Sequence, residues 1–421
     1  MLVYKFGGAS IERPERMEAL LPILSKASAP LVVVVSAMGK TTNALEAIVF
    51  AALNGQKADA HEKALALEAS HRAYAETVLS PAAFQKAWQQ MAETFTELQW
   101  AIDGCGERNP DYHYDQIVCT GELLSTRIFA AFLSDRGLAA QWADARDLIR
   151  TDDQFREAKV DLDYSFVQIR KTAEPLLQAG TILLTQGFIG ATPDNASTTL
   201  GREGSDYSAA LLAAALDAQS LTIWKDVDGL QNADPRLFDH TVKIEAITYA
   251  EVIEMAYYGA QVIHPKTIQP LQNKGIPLHV RCFLKPEASG TVIDQEASSL
   301  FYPPLIILKR NQVLLQVTTL DFSFITEENL SKLYRIFSEL RLKINLLQNA
   351  AISFVACIDN DPEKLQHLIE VLRPHYRLLR NEEVTLLTVR HYTPEVVSTL
   401  THNRHILLEQ KTRHTLQCVY K

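Results

Sequence analysis

The chain reads as an α/β protein: an open, mostly parallel sheet sandwiched by helices, followed by two small α+β modules. Three observations predict this. Two apolar runs, LVYKF at 2–6 and LVVVV at 31–35, flank the helix-like PERMEALLPILSKA, the spacing of a strand–helix–strand crossover. Glycine-bearing turns stand after or between expected strands at 5–10, 36–43, 185–190 and 201–206. Beyond 313 the order changes to strand, helix, hairpin, helix, and a shorter round of similar order follows.

Taken in order, residues 56–104 are rich in Ala, Glu, Gln and Lys, with aromatics at helical spacing, and predict two or more helices over the sheet. DQIVCTGELLSTRIFAAFLSDRG at 115–137 reads as a short strand entering a helix that Gly137 ends. TILLTQGFIGAT at 181–192 reads as a buried strand with glycine turns, and LTIWKDVDGL at 221–230 as the next strand. The alternation continues through 139–300, closes near FLKPEASGTVI at 283–293, and gives way to a linker at 298–304. In the last part, 311–320 predicts a strand and 326–342 a helix whose Leu330, Leu333, Ile336, Phe337 and Leu340 share a face. A hairpin over 343–359 and a helix over 361–375 complete the first round. A strand at 383–392, a helix at 393–403 and strands within 405–420 form the second.

A length of 421 residues predicts two or three domains. With 47% apolar and 22% charged residues, the composition is that of a soluble globular protein, and a net charge of −9 excludes a general nucleic-acid or membrane-surface role. The five cysteines (105, 119, 282, 357 and 418) form no CxxC pair, which predicts a reducing cytoplasm and excludes a Cys-rich zinc module. The chain opens on a strand without a long apolar leader, and LVVVV is too short to span a bilayer, so no membrane association is expected.

The glycine turns carry the chemistry. Ligands of open α/β sheets bind beyond the carboxyl ends of strands, where glycines such as Gly7 and Gly8 let backbone N–H groups reach phosphate oxygens. GKTT at 39–42 is not a P-loop, because Val34 stands where that motif needs glycine. Lys5 suits a phosphate at the end of the first strand, against the ordinary reading of a solvated lysine. Asp206 suits the same site or simply caps the helix at 207–216. Arg202 offers a fork for carboxylate or phosphate, or a surface ion pair. Glu122 suits a substrate ammonium, or complements the dipole of a first helical turn. Asp226 and Asp228 suit Mg²⁺ or ribose, or form a turn. His113 and His264 lack partners at ligand spacing and read as structural.

Together these motifs resemble the aspartate kinases of the amino-acid-kinase family. KFGGAS, SAMGKTTN, TGELLS, TQGFIG, GREGSDYSAALLA, IWKDVDGL, ADPR and GAQVIHPKT occur in the family's order across about residues 2–295. The resemblance implies the amino-acid-kinase fold over 1–298, with an amino-acid lobe at about 1–200 and a nucleotide lobe at 201–298. It implies a regulatory region at 305–421 with two ACT-like modules, the second short and without a final helix. It implies transfer of the ATP γ-phosphoryl group to L-aspartate, an early step towards lysine, threonine and methionine, with Mg²⁺ carried by ATP and no direct protein ligand to the metal. Lys5 and Asp206 would lie at the transfer centre, and Ser36, Thr42, Glu122, Phe188, Arg202 and Ser205 around aspartate. Lys5, Gly7, Gly8, Lys225, Asp226, Gln231, Arg236 and Gln261 would lie on the nucleotide side. Dimerisation through the ACT-like modules follows as a further expectation.

The chain departs from the family pattern at several positions. Ala9 stands where Thr is usual, Glu203 where Gly is frequent, Lys225 where Thr is usual, Gln231 where Tyr is usual and Gln261 where Lys is usual. We expect Lys225 to restore charge lost at Gln261, and Glu203 to point outward or pair with Lys40 or Lys225. Asn345, Ala350 and Ala351 replace acidic or hydroxyl residues that would grip an amino-acid effector, which predicts weak or absent inhibition by lysine. Two other readings stand beside an active aspartate kinase: a kinase of another amino acid or of carbamate, and a non-catalytic regulatory subunit. Gln231 and Gln261 favour the latter, while Lys5, Arg202 and Asp206 oppose it.

Overall fold

The structure, a computed structural model, describes residues 1–27, 30–296 and 301–421. It divides into two compact units. The first comprises Met1–Leu230, Lys243–Ile253 and Val262–Leu300; the second comprises Gln231–Val242, Glu254–Gln261 and Phe301–Lys421. Segments 231–242 and 254–261, inside the range 1–298 assigned above to one domain, thus group with the C-terminal half.

In chain order the elements of the first half are β1 (Leu2–Phe6), α1 (Pro14–Ser25), β2 (Leu31–Val35), α2 (Thr41–Leu53), α3 (Lys57–Val78), α4 (Pro81–Asp103), α5 (Pro110–Val118) and α6 (Thr120–Asp135). There follow β3 (Ala140–Ala143), α7 (Ala145–Leu148), α8 (Leu162–Gln178), β4 (Ile182–Gln186), β5 (Ile189–Ala191), β6 (Ser197–Thr199), α9 (Gly204–Ala215) and β7 (Ser220–Lys225). Then come β8 (Ala246–Thr248), α10 (Tyr249–Tyr258), α11 (Pro265–Lys274), β9 (Leu278–Cys282) and β10 (Thr291–Asp294). Eight strands form one sheet in the order β3-β4-β2-β1-β7-β9-β10-β8. All neighbours are parallel except β9 and β10. β5 and β6 form a separate two-stranded hairpin.

All five residues of β2 are buried, as a β-branched run covered on both faces requires. The chain leaves β1 for β2 on one side, and the sheet later grows past β7 on the other. That reversal of strand order opens a crevice at the strands' carboxyl ends. α3 and α4 are the helices expected over 56–104; Pro81 starts α4 and the Ser80 hydroxyl caps it. The strand expected near 115 is absent: 110–135 is the helix pair α5–α6. Asn109 caps α5 with Pro110 at its first position, and the stretch 117–133, buried nearly all round, has no periodicity to separate strand from helix. Residues 110–135 are also long and apolar enough to cross a membrane, but 78% of their most apolar window is buried inside the protein, as in a core helix. Their Ile117, Leu124, Phe129 and Phe132 join Phe6, Val33 and Leu45 in the main core.

The second half continues with β11 (Leu305–Thr319), α12 (Glu327–Glu339), β12 (Ile344–Asn349), β13 (Ser353–Asp359), α13 (Pro362–Leu372), β14 (Tyr376–Arg390), α14 (Pro394–Thr401), β15 (Ile406–Lys411) and β16 (Thr415–Tyr420). The two rounds share one antiparallel sheet, ordered β12-β13-β11-β14-β16-β15. β11 and β14 reach back to Leu305 and Tyr376, several residues before their expected starts, and pair along both rounds with irregular register near 309–314. The first round is covered by α12 and α13, which bury Leu333, Phe337, Leu365 and Leu368. In the second, α14 packs Val396, Val397 and Leu400 onto Leu387, Leu416 and Cys418. Of the linker expected at 298–304, residues 298–300 lie outside the described residues, and 301–304 are irregular.

Candidate active site

Four central strands end level with one another. Phe6 pairs with Val35 and with Trp224, and Val35 with Gln186. The next residues extend the ladder, with Ser36 N–H donating to Phe6 at 3.1 Å and Gly187 N–H to Val35 at 3.2 Å. Three turns therefore meet in one crevice. A Cβ on Gly8 would stand 2.1 Å from the Ala37 carbonyl, and one on Gly187 2.6 Å from the Ser205 backbone, so both positions need glycine for close approach.

α9 aims its first turn at this crevice. Its third residue, Asp206, places Oδ1 2.6 Å from Lys5 Nζ, with both side chains almost wholly buried. Asp206 does not cap the helix, as its sequence position allowed. The helix starts at Gly204 because Glu203 takes a left-handed conformation (φ 54°) just before it. Asp206 thereby lies in the first turn, facing the end of β1. Gly7 lies beside the same ammonium: a Cβ there would be 3.9 Å from Lys5 Nζ. Ser205 is buried next to Asp206.

Glu122, in the first turn of α6, is 3% exposed. One carboxylate oxygen accepts the Ala37 N–H at 3.4 Å, while the other, also buried, has no hydrogen-bond partner among the described residues. Burial pushes its carboxyl up to about 8, against smaller opposing effects of the Ala37 bond and the Lys5 charge. Ser125, one turn on, accepts the Met38 N–H at 2.8 Å. Sequence reasoning missed Ser125, although spacing three residues after Glu122 puts both on one helix face. Together they hold the turn after β2, which leads to Thr42, the half-buried second residue of α2.

Phe188 adopts φ 73°, unusual for a bulky residue. Its N–H donates to Ser208 Oγ at 3.0 Å and its carbonyl accepts from Leu200 N at 2.8 Å, and its ring lies against Gly204. Arg202 is exposed, and among the described residues no ion pair holds its guanidinium. Asp115 is a second missed residue. Fully buried, it accepts from Thr199 N, Thr199 Oγ1 and Arg156 N at 2.8, 2.7 and 2.9 Å, anchoring the strand that enters the 201–206 turn. Burial raises its carboxyl to about 6 against those bonds.

Glu203 corrects an expectation. It pairs with neither Lys40 nor Lys225; its Oε2 accepts the His264 N–H at 2.7 Å, at the start of α11. A left-handed backbone turns its carboxylate to a helix N-terminus, where negative charge is favoured. His264 in turn caps α11 by accepting from Lys266 N, and His113 accepts from Arg108 N, so both histidines have structural bonds.

On the other side of β1, Lys225 ends β7 and donates to the Val262 carbonyl at 3.1 Å. Asp226 is exposed just beyond it, and Asp228 pairs with Lys285 at 3.1 Å in the turn to Gly229. Gln231, Arg236 and Gln261 belong to the second unit, where Arg236 is held by Asp234 at 2.7 Å. The first unit thus brings Lys5, Gly7, Gly8, Ser36, Glu122, Phe188, Ser205 and Asp206 to one crevice, with Arg202 exposed just before α9. Among the described residues no group of three or more His, Cys, Asp or Glu side chains gathers to hold a metal ion.

The model of the amino acid kinase family matches residues 1–282. Lysine-sensitive aspartokinase 3 of Escherichia coli is 33% identical over 82% of this chain and 76% of its own length. The chloroplastic aspartokinase 1 of Arabidopsis thaliana is 31% identical over 82% of this chain and 61% of its own. Against the bifunctional aspartokinase/homoserine dehydrogenase 1 of that plant, the match spans 32% of the relative's length. The crystal structure of E. coli aspartokinase III with aspartate and ADP aligns over 100% of this chain and 96% of its own, with a TM-score of 0.83 and 29% identity. The chain therefore belongs to the amino acid kinase family and, within it, to the aspartokinases.

Proposed function

We infer that this chain transfers the γ-phosphoryl group of ATP to the β-carboxylate of L-aspartate, giving 4-phospho-L-aspartate and ADP. The observation that carries the reading is the buried Lys5–Asp206 pair at the crevice, facing the turn held by Glu122. An oxygen of the β-carboxylate attacks phosphorus, the bond to the β,γ-bridging oxygen breaks, and its electron pair leaves on ADP. A carboxylate of pKa about 3.9 is already ionised at neutral pH, so no general base is required. The work left to the protein is alignment and neutralisation of negative charge. Lys5 brings a positive charge to the transferring group, and Asp206 holds that ammonium in place. The N–H groups of the turns at Gly7 and Gly8 approach the phosphates. Glu122 offers its free oxygen to the substrate ammonium, and Arg202 its guanidinium to the α-carboxylate, which separates an amino acid from a simple diacid. Ser36, Thr42, Phe188 and Ser205 frame that substrate, and Lys225 and Asp226 serve the nucleotide.

The residues suit a metal delivered on the nucleotide, since Asp206 is paired with Lys5. Mg²⁺ bound to ATP supplies further charge neutralisation. The outer strands β12 and β15 leave sheet edges that a second copy would cover, so a homodimer is part of the proposal. Five buried free thiols suit the cytoplasm.

The test is ADP release by the purified chain with ATP and Mg²⁺, with L-aspartate, L-glutamate or no acceptor, and hydroxylamine to trap the acyl phosphate. Aspartate-dependent release with trapped product is expected. Equal release with glutamate would reassign the substrate, and none with either would leave the regulatory-subunit reading.

A further inference from the structure

The second unit contains a cavity of about 430 Å³ on the face of its sheet that carries α14. In the first round that face is covered by two helices, in the second by α14, and the space beside α14 is walled by Leu237 and Phe238 of the 231–242 segment. Phe238, Leu387 and Leu400 share the lining with Thr385 and Thr399, and the volume is that of a small-molecule site. Two guanidinium groups, Arg310 and Arg404, line the cavity. Arg404 lies 5.4 Å from the Tyr420 ring centroid, and the charges of both arginines act on the Tyr420 hydroxyl, which places them around one end. Among the described residues neither arginine side chain has a hydrogen bond or ion pair to an acid, and no acidic side chain lines the cavity.

These features select a ligand. Two unpaired arginines suit an oxyanion, which accepts their donors in a charge-assisted fork. The Phe238, Leu387 and Leu400 side chains give a small hydrocarbon body something to pack against. The lack of any carboxylate leaves nothing to receive an ammonium group, which would meet two positive charges instead. We propose that this cavity binds a small organic carboxylate with an apolar body and no ammonium group, such as a 2-oxo acid. The site is separate from the catalytic crevice and does not depend on the kinase reading.

Calorimetric titration of the full chain tests it directly, with 4-methyl-2-oxopentanoate, L-leucine and inorganic phosphate as probes. The oxo acid should bind once per chain. L-leucine, with the same body plus an ammonium, and phosphate, with charge but no body, should bind at least about tenfold more weakly. R310A and R404A, both at exposed positions, should each weaken the oxo acid about tenfold, and Leu400→Trp, which fills the cavity, should remove binding. Absence of binding at millimolar oxo acid, binding unchanged in the R310A/R404A double variant, or equal binding of leucine or phosphate would overturn the proposal.

Discussion

Replacing Glu122 by Gln should make the protein more stable and a poorer binder of aspartate. Glu122 is buried, and its carboxyl is pushed from 4.5 to about 8 by burial. The folded state thus holds a proton that the unfolded chain has released at neutral pH. Stability from this group is fully present below the unfolded value and is lost as pH rises through the folded one. At pH 7 the gap above the ordinary value of 4.5 corresponds, at about 1.4 kcal/mol per pH step, to about 3 kcal/mol. Gln carries no such cost, so E122Q should melt several degrees higher at pH 8, at about 2 °C per kcal/mol for a unit of this size, with the gain fading towards pH 5. Binding should move the opposite way. About one Glu122 in ten is ionised at pH 7 and about nine in ten at pH 9, so KM for aspartate should fall about tenfold between them in the unaltered enzyme. In E122Q the KM should be higher and lose that pH dependence. Melting by circular dichroism and initial rates across pH 6.5–9 measure both. A variant that melts lower, or that keeps the KM and its pH profile, would refute the assignment of Glu122 to the substrate ammonium.

Other substitutions probe the rest of the crevice. Glu203→Gly relieves the left-handed backbone, worth about 1 kcal/mol, while giving up the bond to His264 N–H, so stability should change by about 1 kcal/mol or less and ADP release should persist. Lys225→Met should raise KM for ATP; an unchanged value would remove Lys225 from the nucleotide side. Gly8→Ala must displace the Ala37 carbonyl and should abolish turnover, with melting showing whether the fold survives. Lysine at millimolar concentration should inhibit weakly or not at all: Asn345 is already committed to Gln312 and Asp359, and Ala350 and Ala351 are exposed, uncharged turn residues.

Much of the fold was legible because burial leaves periodic marks. The edges of β1 and β2 lie where their apolar runs lie, and the face of α12 is the one its spacing predicts. At 117–133 the marks vanish, because a segment buried on nearly every side has no polar face to time its period. Asp206 was legible as a candidate but not as the third residue of α9, since one left-handed residue upstream decides where that helix begins. Ser125 and Asp115 went unread because each acts on backbone groups distant in the chain.

The amino-acid sequence by itself determined the class of fold, the family and the glycine turns that meet at the crevice, because local spacing and backbone freedom are written residue by residue. Tertiary structure alone decided the partners. It buried Glu122 with one oxygen unmatched, joined Lys5 to Asp206 across 201 positions, turned Glu203 to a helix N-terminus and grouped 231–242 with the C-terminal half. Each of these depends on what a side chain meets from another part of the chain, and that encounter exists only once the strands have been brought into register.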